Sequence, residues 1–278
     1  MQVIAEEAPL TEEQQKYIAW AKSLWDKVDR QQGDIKLPGN VATLNVPQTF
    51  YYLNPKDTET VLTEIWGNPP GQKTLGMLFP AGTTPFDSET YGVTIEYEAD
   101  GYVSDEDAEE IDYDELLQQM KQGTEEASKQ RIKQGYEAIE LVGWAARPYY
   151  DKASHKLYWA KEIKFADDPN HTLNYNIRIL GRKGVLVLNF IAGMAQKPVI
   201  DKDLDNVLAI ANFDSGSKYE DFNPDMDTVA AYGLGALIAG KVALKSGFLV
   251  AALLFLKKFA VIILVAIGAF FKKLFGKS

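Results

Sequence analysis

The densest group of chemically active side chains is an acidic run over residues 105–115, in which eight of the eleven residues are Asp or Glu. Carboxylate oxygens of this kind suit Ca²⁺. An EF-hand loop would require ligands at alternating positions, Gly at the sixth and Glu at the twelfth, and that register is absent. Acid–base roles cannot be assigned to such a run without its geometry. We therefore interpret it as a solvated turn with its acids at helix N-termini, where negative charge is favourable.

The two histidines, His155 and His171, are the other candidates for chemistry. Both fall in predicted turns, so we expect exposed turn histidines. The chain has no H-E-x-x-H and no G-x-S-x-G motif, which disfavours the corresponding zinc peptidases and serine hydrolases. It also has no cysteine, which excludes zinc–thiolate sites, thiol nucleophiles and disulfides. We expect no catalytic residue, no metal and no cofactor, although an enzyme that uses carboxylates stays open as an alternative.

The C-terminal residues 229–278 are apolar and basic, with seven lysines and no acid. The whole chain has 29 Lys and Arg against 39 Asp and Glu, a net charge of −10, so the preceding 228 residues are strongly acidic. An acidic domain argues against a nucleic-acid partner. The tail instead predicts a membrane-seeking segment, with the lipid bilayer as its partner.

Small residues recur at every fourth position along this tail and form a narrow ridge on one face of a helix. Such ridges let helices approach closely in a membrane, so we expect a homo-oligomer. The predicted helix-packing residues are Ala231, Gly235, Ala239, Ala243, Gly247 and Ala251. The predicted membrane, lipid or pore charges are Lys241, Lys245, Lys257, Lys258, Lys272 and Lys273.

Three arrangements of the tail remain open. Gly247–Phe271 is long enough to span as one helix, but Lys257 and Lys258 lie near its middle and would face a water-filled oligomer interior. The same lysines could instead mark the turn of a hairpin. We favour a surface helix followed by a single effective crossing. The lysines that follow this crossing, Lys272 and Lys273, then place the C-terminus in the cytoplasm and the acidic domain outside.

The residues before the tail predict an α+β fold, a mostly antiparallel sheet of about seven strands flanked by helices. Thr11 and Gln14 form a capping box for a first helix that Gly33 ends, with Tyr17 and Ile18 on its apolar face. Later helices are predicted after Asn54, over residues 113–135 and over residues 201–211. Strands are predicted within 39–53, near 74–80 and 91–98, and at about 137–147, 156–165, 172–181 and 185–192. By analogy, this order resembles the PsbP and Mog1 sandwich.

Several stretches resemble one bacterial family, the membrane-anchored proteins grouped as domain of unknown function 2167. They include LNVPQTFYYLNPKDTETVLTEIWGNPPG (44–71), QGYEAIELVGWAARPYYDKASHKLYWAKEIKF (134–165), LNYNIRILGRKGVLVLN (173–189) and VAAYGLGALIAGKVALKSG (229–247), and runs such as LNYNIRILGRKGVLVLN are specific. The resemblance begins near residue 40. It implies a signal peptide, an extracytoplasmic domain and a C-terminal anchor, and it implies no reaction.

These observations divide the chain into an N-terminal helix and lead-in (1–38), an extracytoplasmic α+β domain (39–225) and a small-residue helix with a transmembrane anchor (226–278). The N-terminus lacks the pattern of a signal peptide, so we expect a mature chain from which that peptide was removed. The predicted location is the inner membrane of a bacterium, with the domain in the periplasm. We expect a binding or scaffold module that self-associates and has a possible envelope protein partner; an oligomeric pore is the alternative. Removing residues 229–278 is expected to leave a folded domain.

Overall fold

The structure is a computed structural model, and it describes residues 11–240. Within that range the α-helices are α1 (Glu12–Trp25), α2 (Pro55–Thr60), α3 (Tyr113–Lys133), α4 (Lys197–Ile210) and α5 (Leu234–Ala239). A π-helical turn, Val61–Ile65, continues α2. The strands are β1 (Arg30–Gln31), β2 (Gly33–Lys36), β3 (Thr43–Val46), β4 (Phe50–Leu53), β5 (Gly76–Pro80), β6 (Tyr91–Glu98), β7 (Ile139–Asp151), β8 (Lys156–Phe165), β9 (Thr172–Leu180), β10 (Val185–Gly193) and β11 (Ala211–Asn212).

The main sheet has eight strands in the order β1-β4-β5-β6-β10-β9-β8-β7, and all neighbours pair antiparallel. A second sheet has the order β11-β3-β2. Short turns join β7 to β8 and β9 to β10, whereas α3 lies between β6 and β7 along the chain. Long antiparallel strands that alternate in polarity can bury both faces of one sheet under different elements.

One side of the main sheet, which we call the α4 face, carries the largest core. It includes Ile95, Ile177 and Leu188 on three adjacent strands, and these side chains are fully buried. Helix α4 covers them with Ile200 and Val207. The second sheet also joins this core through apolar residues of β3 and β11.

The opposite side, which we call the α3 face, carries two separate apolar clusters. The α3 cluster lies over β8, β9 and β10, where Leu157 and Val187 pack against Leu116 of α3 and Leu237 of α5. The α2 cluster lies at the β4–β5 end and contains Val61 of the π-turn. A polar strip separates the two clusters, and it holds the candidate site described below.

The α+β class and the antiparallel sheet flanked by helices are confirmed, with eight strands in place of about seven. The bounds predicted for β8 match the structure, and Asp112 caps α3 by accepting from the backbone N–H groups of Asp114 and Glu115, both at 3.0 Å. The hairpin turn at Gly181–Gly184 also forms, with a backbone hydrogen bond of 2.9 Å. These are places where local signals alone decide the structure.

The first helix differs from its prediction in length and in packing. The capping box at Thr11 is present, but α1 ends at Trp25 and the chain continues into β1 before it reaches Gly33. No residue of α1 is buried, and Tyr17 is 56% and Ile18 49% exposed. The helix touches the body through single aromatic contacts, such as Trp25 with Tyr51 at 5.8 Å between ring centroids. The amphipathic pattern of α1 identified the face that could be buried. It did not show that the rest of the protein provides a surface to cover that face.

Candidate functional site

Charged and polar side chains interrupt the α3 face midway between its two apolar clusters. We call this group the sheet-face cluster; its members are Glu96, Trp159, Lys161, Arg178 and Asn189. The strand register brings them together, because Val187 of β10 pairs with Arg178 on one side and with Glu96 on the other. Asn176 likewise pairs with both Trp159 and Asn189. Four strands therefore contribute to one polar strip.

The charges of this cluster are set close together in a partly buried setting. Burial, aided by the nearby charge of Arg178, lowers the pKa of Lys161 to about 8. Burial also lowers the pKa of Arg178, and the carboxylates of Glu98 and Glu96 oppose that effect. The pKa of Glu96 is raised, again mainly by burial. Each charged form is thus destabilised by its surroundings, which is a common property of functional sites.

Three buried polar atoms of the cluster have no hydrogen-bond partner in the described part of the chain. They are the Nε1 of Trp159, the Nε of Arg178 and the Oδ1 of Asn189. The Arg178 guanidinium lies over the Trp159 ring, 4.9 Å from its centroid. A buried group without a partner costs about 1–3 kcal/mol. Since Glu96, Lys161, Arg178 and Asn189 all keep partial exposure, solvent reaches the cluster.

Sequence reasoning missed this cluster, although a signal for it was present. Each of its polar residues occupies a position where strand alternation calls for an inward side chain. Asn189, for example, stands in the otherwise apolar strand Val185–Gly193, and Lys161 follows Leu157 and Trp159 at steps of two. Polar residues at inward positions of several strands indicate a site once the register is known. The register itself could not be predicted.

The acidic run serves the fold. Asp105 accepts a hydrogen bond from the Tyr150 hydroxyl at 2.7 Å and lies 3.2 Å from the Tyr219 hydroxyl. Asp107 accepts from the first backbone N–H groups of α5, and Asp112 caps α3. These backbone hydrogen bonds hold the pKa of Asp112 below its usual value. No group of three or more His, Asp or Glu side chains within residues 11–240 is arranged to hold a metal ion.

Both histidines lie in or beside turns as expected, but the prediction that they are exposed was wrong. His155 adopts a left-handed backbone (φ 51°) between β7 and β8, and its ring packs on Tyr219 with centroids 4.1 Å apart. Its Nδ1 lies 3.2 Å from the Tyr150 hydroxyl. The Nδ1 of His171 lies 2.5 Å from Glu162. Each side chain is about one quarter exposed, since His155 packs on Tyr219 and His171 lies beside Glu162 of β8.

Residues 226–240 pack against the body rather than lying apart from it. The backbone of Val229 forms a parallel bridge with Tyr102, flanked by hydrogen bonds of 2.8 and 2.7 Å. Arg182 of the β9–β10 turn donates to Asp227 at 2.6 Å, and that carboxylate is 1% exposed. The segment around Thr228 approaches Gly101 so closely that a Cβ at position 101 would overlap the backbone carbonyl of Thr228. The proposed boundary after residue 225 therefore does not coincide with the edge of the packed body.

Helix α5 is fixed by apolar burial and by a cap from another segment. Leu234, Leu237 and Ile238 are each 5% exposed or less and belong to the α3 cluster. Asp107 accepts from the backbone N–H of Leu234 at 3.0 Å and of Gly235 at 3.3 Å. The chain thus leaves the described body at Gly240, from a defined point beside α3.

Only the first half of the small-residue ridge lies in the described residues. Ala231 is exposed and precedes α5, Gly235 faces Asp107 and Ile111 of the same chain, and Ala239 packs against the α3 cluster. These three residues do not form one outward-facing ridge. The remaining predicted residues lie outside the described part: Ala243, Gly247, Ala251, Lys241, Lys245, Lys257, Lys258, Lys272 and Lys273. Within residues 11–240, no helix is long and apolar enough to cross a bilayer.

Replacing Asp107 by Ala is expected to destabilise the chain by about 1–2 kcal/mol, because two backbone donors of α5 lose their acceptor. Urea unfolding followed by circular dichroism measures this loss. Asp107→Asn keeps an acceptor oxygen and should lose less. Glu109→Ala, at an exposed position of the same run, is the matched control and should leave the midpoint unchanged. Equal midpoints for Asp107→Ala and Glu109→Ala would contradict the capping role.

The described body is thus a single packed α+β unit with a polar strip on one sheet face and a docked C-terminal helix. Its sequence matches the family described as a protein of unknown function, DUF2167, over residues 29–268. The match covers most of the chain, and the protein belongs to this family. The resemblance seen in the sequence is confirmed.

Comparison with solved structures gives the solution structure of the cyanobacterial PsbP protein, CyanoP, from Synechocystis sp. PCC 6803 as a similar chain. The identity is 11%, and the similarity covers 67% of this chain and 92% of that one, with a TM-score of 0.35. A TM-score at this level supports no argument about shared activity. No curated protein matches the sequence.

Proposed function

We propose that the protein is a membrane-anchored binding module of a bacterial envelope, with residues 241–278 as its anchor. The proposal places the acidic domain in the periplasm and the C-terminus in the cytoplasm. The observation that carries it is the docking of α5, which attaches the start of the tail to the domain through three buried side chains and the Asp107 cap. Because α5 fixes the chain to the domain up to Gly240, an anchor that begins directly after Gly240 would hold the domain close to the bilayer.

The charge distribution supports the same arrangement. All seven lysines after residue 228 lie beyond Gly240, whereas the acidic residues precede it. Lys241 and Lys245 follow the body directly and suit lipid phosphates at the membrane surface. Lys272 and Lys273 suit a cytoplasmic exit.

The acidic run, residues 105–115, favours a binding module over an enzyme that uses carboxylates, because several of its acids already serve the fold. Asp105, Asp107 and Asp112 are engaged in hydrogen bonds that hold tyrosines and helix ends, so these acids serve packing. The sheet-face cluster, in contrast, combines unsatisfied donors and an acceptor at a partly exposed position. Such a strip suits recognition of a ligand.

The proposal includes self-association through Ala243, Gly247 and Ala251, which keep the four-residue spacing after Gly240. Replacing Gly235 would be a poor test, because its position faces the domain's own Ile111. The pore alternative depends on Lys245, Lys257 and Lys258.

The test of anchoring is flotation of cell membranes after an alkaline carbonate wash. The full chain is expected to float with the lipid, and a chain that ends after Gly240 is expected to stay in the soluble fraction. A substituted chain with Lys241 and Lys245 changed to Gln serves as a control, because it keeps the apolar tail and should still float. Recovery of the full chain in the wash would contradict the anchor.

A further inference from the structure

We infer that a groove between helix α4 and the edge of the main sheet binds a neutral sugar ring. We call it the tyrosine groove; it is lined by Tyr149 of β7, Tyr158 of β8 and Tyr175 of β9, and by Leu204 and Asp205 of α4. The inference rests on the proposed function in that it gives the binding module a class of ligand. It involves neither the sheet-face cluster nor the anchor.

An irregularity in the edge strand β7 brings two lining residues to the same face. Ala146 pairs with Ala160 and Tyr149 pairs with Tyr158, so β7 advances by three residues where β8 advances by two. Strict alternation would put Ala146 and Tyr149 on opposite faces, whereas the extra residue lets both line the groove. Bulges that re-aim a side chain in this way are common beside functional sites.

The floor of the groove is made of small side chains and its walls of aromatic rings. Ala146 is paired with Ala160, and Ala160 is paired in turn with Tyr175. The two alanines leave a depression that Tyr149 and Tyr158 bound along the strands and Tyr175 bounds across them. Its volume is about 280 Å³, which is at the small end of ligand cavities and suits a single six-membered ring.

Tyr149 presents an aromatic surface at the mouth of this groove. Its ring stacks on Tyr158, with centroids 6.4 Å apart and an interplanar angle of 24°, yet the residue is 63% exposed. The hydroxyl groups of Tyr149 and Tyr175 form no hydrogen bond within residues 11–240. Each can therefore donate to a ligand and accept from it.

The charges beside the groove supply one donor and one acceptor. Burial lowers the pKa of Lys156, and the nearby carboxylates of Asp151 and Asp205 oppose that effect. Asp151 already accepts from Ser154 in the β7–β8 turn, which leaves Asp205 for a ligand. The other charged groups nearby are paired with one another, Arg147 with Asp114 and Asp201 with Lys197.

These features together favour a neutral ligand over an ion. Lys156 and Asp205 have opposite charges, so the groove has little net charge with which to select a cation or an anion. A sugar ring has hydroxyl groups that both donate and accept, as the tyrosine hydroxyls, Lys156 and Asp205 require. It also has a C–H face, whose hydrogens suit the negative face of the Tyr149 ring.

Saturation-transfer NMR of the full chain tests the inference in a polyoxyethylene detergent, which has no sugar headgroup. The probes are the methyl glycosides of glucose, galactose, mannose and N-acetylglucosamine. We expect saturable binding of at least one of them with a Kd below about 10 mM. The ring hydrogens on one face should receive most of the saturation. Because the ligand is neutral, 0.5 M NaCl should change the Kd by less than about twofold.

Three variants separate the ring contact from the polar contacts. Tyr149→Ala should weaken the bound glycoside by about five- to tenfold, and Tyr149→Phe, which keeps the ring, should weaken it less. Asp205→Ala should weaken it by a similar factor through the lost acceptor. Tyr17→Ala is the matched control, because Tyr17 is also an exposed tyrosine but lies on α1. Melting curves verify that each variant is folded.

Three outcomes would overturn the inference. They are the absence of binding of all four glycosides up to about 50 mM, binding that Tyr149→Ala leaves unchanged, and displacement of the glycoside by tetramethylammonium chloride. The last outcome would assign the groove to a cation held by the tyrosine rings. Failure here leaves the membrane anchor untouched, since flotation tests that claim separately.

Discussion

A chain that ends after Thr228, which the sequence alone predicted to be a folded domain, is expected to unfold at much lower urea concentration than a chain that ends after Gly240. The shorter chain lacks α5, whose Leu234, Leu237 and Ile238 are buried in the α3 cluster. Full burial of such a side chain contributes about 1.5–3 kcal/mol, so their loss amounts to roughly 5 kcal/mol or more. That is a large part of the 5–15 kcal/mol by which domains are typically stable.

Urea unfolding of the two truncated chains, followed by tryptophan fluorescence, measures the difference. The chain 1–240 should give one cooperative transition, and the chain 1–228 should give a broad or early one. The triple variant with Leu234, Leu237 and Ile238 changed to Ala, made in chain 1–240, should behave like the shorter chain. Similar midpoints for 1–228 and 1–240 would show that α5 does not belong to the body.

Replacing Lys161 by Met is expected to stabilise the chain by about 2–3 kcal/mol at pH 7. Burial, with help from Arg178, lowers the pKa of Lys161 from 10.5 to about 8 in the folded state. At pH 7 the lysine is charged in both states, so folding must place a charge where the surroundings disfavour it. Methionine fills a similar volume without that charge.

The pH dependence of this gain follows from linkage. Between pH 8 and 10.5 the unfolded chain binds a proton that the folded chain has released, so wild-type stability rises with pH. The advantage of Lys161→Met should therefore be full at pH 7 and fall to about a quarter of that value at pH 10. Urea midpoints of the full chain at both values, with Lys164→Met as the control, measure it. A destabilised variant, or an advantage that does not change with pH, would contradict the account of the strip.

Local signals predicted those elements that local interactions stabilise. Asn54 caps α2 and Asp112 caps α3 by accepting backbone N–H groups two and three residues away, and the structure keeps both. Alternation along Tyr91–Glu98 correctly placed Tyr91, Val93 and Ile95 on one buried face. In these cases the residues that decide the structure are neighbours in sequence.

The parts that sequence reasoning missed depend on contacts between distant residues. Asp107 caps α5 across 127 positions of sequence, and Asp227 pairs with Arg182 across 45. The sheet-face cluster forms only once β6, β8, β9 and β10 are in register. Gly233 is required at its position, because a Cβ there would overlap the Asp107 carboxylate. A glycine in the sequence, however, does not indicate which distant residue approaches it.

The central claim is a periplasmic domain held by one membrane crossing, and cysteine labelling tests it most directly. The chain has no cysteine, so Gln118→Cys on the exposed side of α3 and Ser278→Cys each introduce a single thiol. With the complete natural gene expressed in bacteria, a membrane-impermeant maleimide is added to intact spheroplasts. The account predicts that Cys at 118 reacts at once and that Cys at 278 reacts only after lysis. Equal labelling of both positions before lysis would contradict it.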